Sequence, residues 1–586
     1  MTSTSDTWDT RDTRGAAPRD TRGAATEVAE WLRCPSCHEL IYAKRLRRYL
    51  GVCPGCEVHH RLSARERISQ LADTGSFQEF EAWLPLTDPL EFVDSRPYQE
   101  RLTSARTATG EQEAVVCGEA AVDGHRLVLA VMDFRFLGGS LGTGAGELLV
   151  RAAEYALLAR LPLLVVTASG GARMQEGVLS LLQMAKVSQA VARLGEAGLL
   201  FVTLITDPTY GGVAASFATQ GDVIIAEPGA RLGFAGPRVI RDTLLAKLPP
   251  GFQTAEFLLA HGAIDMIAER GRLREVVATL LRSASDGRPD RPWTGPGEHN
   301  GLVTDPEAPH ARSAWEAVGL ARHPGRPTGR EYIGLLSDSF LELHGDRLQA
   351  DSPSIIGGIA NLAGTPVMAV ATQKGHTTRE LIDTNFGMAG PEGYRKALRL
   401  FRLAERLRIP VVTLVDTPGA YPGVAAEENG QVSAIAANIL ALTALRVPVV
   451  SVITGEGGSG GALALAAGDR VLMFEHSVYS VISPEGCAAI LWDASATAQA
   501  ATALRLTADD LLRLGVIDGV IAEPGTGAHT DPVAAANRLG AAVRGCLAEV
   551  HEIPADQLIA QRRKRLRAMG SPGTCKAAGS ERVLAG

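Results

Sequence analysis

With 586 residues, 65 acidic and 58 basic side chains and a net charge of −7, the chain lacks the basic excess of a dedicated nucleic-acid binder. Its apolar runs, such as 411–415 and 447–453, fall well short of the ~20 residues needed to cross a bilayer. The polar N-terminus has no secretory signal, so a cytoplasmic protein without membrane contact is expected.

Residues 1–28 repeat Asp-Thr-Arg at Asp9, Asp12 and Asp20 and contain few large apolar side chains, so they are expected to be a disordered tail. Residues 29–70 hold Cys34, Cys37, Cys53 and Cys56, two Cys-x-x-Cys pairs at the ligand spacing of a four-cysteine zinc ribbon. Four thiolates fill a tetrahedron and leave no open position for water, so one structural zinc per chain is expected. Basic residues nearby, among them Lys44, Arg45, Arg47 and Arg48, form a solvated face or a contact for nucleic acid or an acidic partner.

Short apolar runs alternating with helical patterns over 71–282 predict a layered α/β domain. Residues 283–328 include a Pro/Gly-rich stretch with no hydrophobic period and are expected to be a linker. The alternation resumes over 329–568, and 569–586 reads as a second disordered tail. The two domains share one element order at a fixed offset: Pro162 and Pro410, Thr206 and Thr454, and Glu227 and Glu475 each stand 248 positions apart. The chain therefore reads as two copies of one domain.

Each copy has two glycine turns between a strand and a helix. They contain Gly170-Gly171 and Gly211-Gly212 in the first copy, and Gly419-Ala420 and Gly460-Gly461 in the second. Glycine lets a ligand approach the backbone closely, and the helix behind it adds unpaired N–H groups suited to an anion. This is the composition of an oxyanion hole. A competing pattern is Gly457-Gly-Ser459-Gly-Gly461, the context of a hydrolase nucleophile, followed by Asp518 and His529. The equivalent turn of the first copy has no serine, which counts against that reading.

Longer strings carry a family resemblance. In the first copy they include Ser169-Gly-Gly-Ala-Arg-Met-Gln-Glu176, Thr206-Asp-Pro-Thr-Tyr-Gly-Gly212 and Gly262-Ala-Ile-Asp265. In the second they include Glu342-Leu-His-Gly-Asp-Arg347, Gln373-Lys-Gly375, Asn385-Phe-Gly-Met388, Asp416-Thr-Pro-Gly-Ala-Tyr-Pro-Gly423 and Gly455-Glu-Gly-Gly-Ser-Gly-Gly461. Together with the ribbon, these make the first half resemble the β subunit, and the second the α subunit, of bacterial acetyl-coenzyme A carboxylase carboxyltransferase.

The resemblance implies two tandem crotonase-like ββα-superhelix domains behind a zinc ribbon. It implies carboxyl transfer from biotin, held on a biotin carboxyl carrier protein and charged by an ATP-dependent biotin carboxylase, to acetyl-CoA. Malonyl-CoA is the product. The β-like half would take the acyl-CoA and the α-like half the carboxybiotin, in a homodimer equivalent to α2β2. Arg173 and Arg238 would bind CoA phosphate or position it, or would sit in buried ion pairs. His376 stands where the family commonly has arginine, which weakens any phosphate role there. Propionyl-CoA or another acyl-CoA as acceptor, and a non-enzymatic zinc-ribbon protein that binds nucleic acid, are the alternatives.

Overall fold

The computed structural model describes residues 31–81, 88, 90–236, 240, 248–284, 302–306 and 312–570. The expected N-terminal tail lies outside these residues, as does the expected C-terminal one beyond residue 570. The described residues divide into two compact units, one ending at Val58 and the other beginning at His59. The first is a small ribbon in which β1 (Trp31–Arg33) pairs antiparallel with β2 (Leu40–Tyr42).

The second unit contains both copies. In the first copy, β3 (Gln78–Glu79), β4 (Val115–Val122), β5 (His125–Met132), β6 (Leu163–Ser169), β7 (Phe201–Tyr210), β8 (Val223–Ala226) and β10 (Met266–Ile267) form one sheet in the order β10-β8-β7-β6-β5-β4-β3, and β9 (Leu232–Gly233) adds to β7. In the second copy the strands are β11 (Leu302–Val303), β12 (Ser339–Glu342), β13 (Ile355–Leu362), β14 (Thr365–Thr372), β15 (Val411–Thr417), β16 (Val449–Gly458), β17 (Arg470–Phe474), β18 (Val478–Ser480) and β19 (Gly519–Ile521). Their order is β11-β19-β17-β16-β15-β14-β13-β12, with β18 on β16. The central strands are parallel and buried on both faces, and β6 reads Leu-Leu-Val-Val-Thr-Ala-Ser with every residue buried. Such strands need crossover helices on each side, which is why they are apolar throughout and do not alternate.

The repeat holds in three dimensions. Leu163 and Val411, Phe201 and Val449, and Thr143 and Pro391 begin equivalent elements 248 positions apart. The hairpins before them are 240 apart, as Val115 and Ile355 are. The difference lies in one loop: four residues, 133–136, in the first copy and twelve, 373–384, in the second, where they include the helix Thr378–Asp383.

Two boundaries differ from the sequence expectation. Residues 59–70, grouped there with the ribbon, belong to the first α/β copy. Ser63 caps the helix Ala64–Leu71, whose first amide donates to buried Asp133, and Arg67 pairs with buried Glu227 at 2.6 Å. Part of the expected linker is second-copy structure. Leu302 and Val303 pair with Ile521 and Val520, the helix Ala314–Ala321 packs beside Val478 and Ala501, and buried Arg326 holds Glu523 at 2.7 Å. A Pro/Gly-rich sequence hides these because strand and helix are short and set by tertiary contacts.

Two of the quoted strings turn out to be a seam between the copies. Buried Asp265 accepts the Ile224 amide, pairs with Arg399 at 2.7 Å and also with Arg347, whose own amide donates to Gly262 O. A Cβ on Gly262 would stand 2.3 Å from Ala350 O and one on Gly345 2.3 Å from Gly262 O, so only glycine allows this approach. One cluster of buried apolar residues runs through both copies. Among the described residues no helix is long and apolar enough to cross a membrane.

Candidate active site

β6 and β7 end side by side, and the two glycine turns of the first copy meet there. Gly171 (φ +123) and Gly211 (φ +59) are both in conformations that disfavour a side chain. A Cβ on Gly211 would stand 3.0 Å from Gly171 Cα and 3.9 Å from the Ala172 nitrogen. One on Gly171 would stand 3.9 Å from the Gly212 nitrogen, so the amides of Ala172 and Gly212 border one small space.

The hydrogen bonds decide which amides are free. Gly170 N–H donates to Gly138 O at 2.8 Å, Gly171 N–H to Ser169 Oγ at 3.0 Å, and Gly211 N–H to Phe234 O at 3.1 Å. Ala172 N–H and Gly212 N–H have no partner among the described residues. The second copy repeats this at the same offset. Gly419 N–H donates to Thr417 Oγ1 at 3.1 Å, leaving Ala420 and Gly460 N–H free among the described residues. Gly461 contributes by having no side chain, since a Cβ there would stand 2.5 Å from the Ala420 nitrogen. Of the eight turn residues expected from sequence, Gly212, Ala420 and Gly460 present amides and the others shape the space. Ala172 was overlooked because an alanine beside two glycines carries no signal of its own; its alignment with Ala420 was the clue.

Arg173 is in the buried-pair form of its two expectations. It is 1 % exposed, bonds Glu113 at 2.8 Å, Ser140 Oγ at 3.0 Å and Tyr98 Oη at 3.2 Å, and has no surface for a phosphate. Burial opposes its charge, but Glu113 and the neighbouring acidic groups outweigh that and hold its pKa above the usual range. Arg238 lies outside the described residues. Nothing among the described residues assembles around Ser459 as a nucleophile: the Asp518 carboxylate bonds Arg565 at 2.8 Å, and the His529 ring stacks on His323 at 3.8 Å.

A charged cluster that sequence reading missed stands at the strand ends of the second copy. Lys374 Nζ donates to Asp416 Oδ1 at 2.6 Å and Glu456 Oε2 at 2.9 Å, and Arg322 Nε donates to Glu456 Oε1 at 2.7 Å. Burial disfavours the lysine charge, yet the two carboxylates hold its pKa above the ordinary value. Burial likewise raises Glu456, and Lys374 and Arg322 more than reverse it. Asp416 and Glu456 align with Ala168 and Pro208, and Lys374 lies in the extra loop, so the first copy has no counterpart. Their common position one or two residues from a strand end was the available signal.

In the ribbon, His38 N–H donates to Cys34 O at 3.0 Å and Glu57 N–H to Cys53 O at 2.9 Å, two matching knuckles. The four sulfurs lie within 4.8 Å of one another, with Cys34 and Cys56 3.6 Å and Cys37 and Cys53 3.8 Å apart. A tetrahedron with Zn–S bonds of ~2.3 Å has edges of ~3.8 Å, so the donor set fits one structural zinc.

Family models match in three places: an acetyl-CoA carboxylase zinc finger domain over 31–56, a carboxyl transferase domain over 59–247, and an acetyl co-enzyme A carboxylase carboxyltransferase-like family over 307–570. A protein of Salinispora tropica, named acetyl-coenzyme A carboxylase carboxyl transferase subunits beta/alpha, is 60% identical over 94% of this chain and 98% of its own length. A Clostridium tetani protein of the same name is 42% identical over 92% of this chain and 93% of its own.

The chain belongs to the acetyl-coenzyme A carboxylase carboxyl transferase family. The β-type part of the family comes first and the α-type part second, and the membership makes this chain a biotin-dependent carboxyl transferase. The family fold is crotonase-like. The crystal structure of transcarboxylase 12S superposes with a TM-score of 0.65 at 24% identity, covering 84% of this chain and 91% of that one. A single-chain, multi-domain long-chain acyl-CoA carboxylase gives 0.63 at 21% identity, over 82% of this chain and 45% of that one.

Proposed function

We propose that the chain transfers the carboxyl group of carboxybiotin, presented on a biotin carboxyl carrier protein, to acetyl-CoA in the cytoplasm, giving malonyl-CoA. The observation that carries this reading is the duplicated pair of free amides. Two substrates each develop negative charge on oxygen during such a transfer, and each copy offers one two-donor hole.

Ala172 and Gly212 hold the thioester oxygen as the acetyl group becomes an enolate; Ala420 and Gly460 hold the ureido oxygen of biotin. Carboxybiotin supplies the carboxyl group and, once that has left, a base for the acetyl α-proton, so the protein needs no acid-base dyad. Each donor contributes about 10²- to 10³-fold in rate. Biotin carboxylase recharges the carrier with ATP.

The working form is a homodimer in which the acyl-CoA half of one chain faces the biotin half of the other. The helices that follow the turns support this: Met174, Val178, Leu181 and Leu182 are exposed in the first copy, and Val424, Val432 and Leu440 in the second. Apolar side chains concentrated beside a site favour a protein partner over water.

The test is carboxyl exchange between malonyl-CoA and biotin methyl ester on the purified chain. Exchange is expected, faster with malonyl-CoA than with methylmalonyl-CoA. Its absence from folded, zinc-loaded dimer would overturn the reading, and a preference for methylmalonyl-CoA would change the acceptor to propionyl-CoA.

A further inference from the structure

At two positions of the site with positive φ in both copies, the first copy has glycine and the second a side chain. Gly138 (φ +67) aligns with Phe386 (φ +57), and Gly211 (φ +59) with Ser459 (φ +53), each 248 positions apart. A side chain in the left-handed region costs stability, and a strained residue that persists at a site points to use. At these two registers the first copy avoids that cost with glycine while the second bears it; at the neighbouring register, Leu137 and Asn385 (both φ +48), both copies bear it.

Both side chains have room. A Cβ on Gly138 would meet nothing within 4 Å, so a side chain at that register projects into open space, and Phe386 is 47% exposed. Ser459 is exposed, and its hydroxyl has no partner among the described residues. The space in front of Gly419 is also more open than that in front of Gly171. A Cβ on Gly419 would meet nothing within 4 Å, whereas one on Gly171 would lie 3.5 Å from Gly211 Cα. Pro418 occupies the register of Gly170 and has no N–H, so the bond that ties Gly170 to the Gly138 carbonyl has no equivalent at Phe386.

We infer that Phe386 and Ser459 contact the substrate of the second-copy hole and set its preference for a compact urea ring with an apolar arm. The Phe386 ring covers the apolar part. The Ser459 hydroxyl, on the residue preceding the Gly460 donor, adds a third hydrogen bond to the oxygen held by the Ala420 and Gly460 amides. The inference rests on the assignment of biotin to the second copy.

The experiment uses the full chain with malonyl-CoA and biotin methyl ester. Phe386→Ala should raise KM for biotin methyl ester about tenfold with little change in kcat, the loss of one well-placed aromatic contact. Ser459→Ala should lower kcat about 10²-fold, the loss of one donor to developing charge. Both should leave KM for malonyl-CoA within about twofold. Phe386→Gly and Ser459→Gly should raise Tm by about 1–2 °C because glycine relieves the backbone.

Unchanged biotin kinetics in both alanine variants would overturn the inference. So would a rise in KM for malonyl-CoA, or a fall in Tm with glycine, which would make the two residues structural. A parent chain that exchanges normally while the variants do too sinks this inference alone; a parent without any exchange sinks the carboxyl-transfer reading as well.

Discussion

The two copies of one domain solve the same problem with different materials. Around the first-copy turns the chain uses glycine and a buried ionic network: Arg173, Glu113, Glu176 and Tyr98 are all nearly or wholly enclosed. Arg173 and Glu176 align with Tyr421 and Val424 in the second copy, and Glu113 with Pro353, so that network is absent there. The second copy instead places Lys374, Asp416, Glu456 and Arg322 close to the surface, on and beside a loop eight residues longer than its counterpart. The two free amides of each hole, which no substitution but proline removes, are common to both. Side chains, which can, separate the two sites.

The comparison breaks most readily at the amides. Gly211→Val introduces a side chain 3.0 Å from Gly171 Cα on a left-handed backbone, and should cost at least about 10²- to 10³-fold in kcat by displacing Ala172 or Gly212. Gly461→Val, whose Cβ would stand 2.5 Å from the Ala420 nitrogen, should cost as much from the other side. Steady-state exchange rates on folded protein check both, and near-normal turnover in either would remove that turn from the chemistry. Gly170→Ala should be milder, because its nearest contact would be Gly138 O at 3.5 Å, an ordinary distance.

The ionic groups sharpen the contrast by stability. Arg173→Met strands the carboxylate of Glu113 in the interior and should destabilise the first copy by about 3–5 kcal/mol. Lys374→Met leaves Asp416 and Glu456 facing each other, but these are 13% and 11% exposed and can recruit water, so a loss of roughly 1–3 kcal/mol is expected. Denaturant titrations of the two variants measure this; an Arg173→Met effect smaller than that of Lys374→Met would reverse the assignment of enclosed and open networks.

How far the sequence could be read follows the same division. The repeat, the cysteine knuckles and the glycine turns were legible because each depends on spacing or on one residue type with a unique backbone freedom. The free amide of Ala172 was not, since a donor is defined by the bonds its neighbours make: Gly170 and Gly171 carry the conspicuous glycines but spend their N–H groups on Gly138 O and Ser169 Oγ. The Lys374 cluster was hidden because its members lie 42 and 82 positions from the lysine and meet only through parallel strand order. The 283–328 stretch misled by composition, as β11 and the helix Ala314–Ala321 are held by contacts with residues 520–521 and 478–501 that no local pattern announces.

The smallest predicted effect concerns the extra loop itself. His376 Nδ1 lies 2.7 Å from Pro324 O and its Nε2 2.9 Å from Glu331 Oε2, so both ring nitrogens face acceptors and the imidazolium satisfies both. The Pro324 carbonyl first, then Glu331, raises its pKa above the ordinary 6.5 against the opposing pull of burial. A histidine with a raised folded pKa adds stability that is complete below the unfolded value and disappears as pH rises through the folded one. The loop should therefore hold tightest below about pH 6.5 and loosen above the folded pKa, while the first copy, whose equivalent loop is four residues without histidine, shows no such dependence. With the two side chains 40% and 48% exposed the effect is small, about 0.3–0.5 kcal/mol. Glu331→Gln should lower the His376 pKa measured by NMR and flatten the pH dependence of amide exchange at residues 376–384. A wild-type His376 pKa at or below 6.5 would show that this loop, unlike the cluster it covers, is not held by charge.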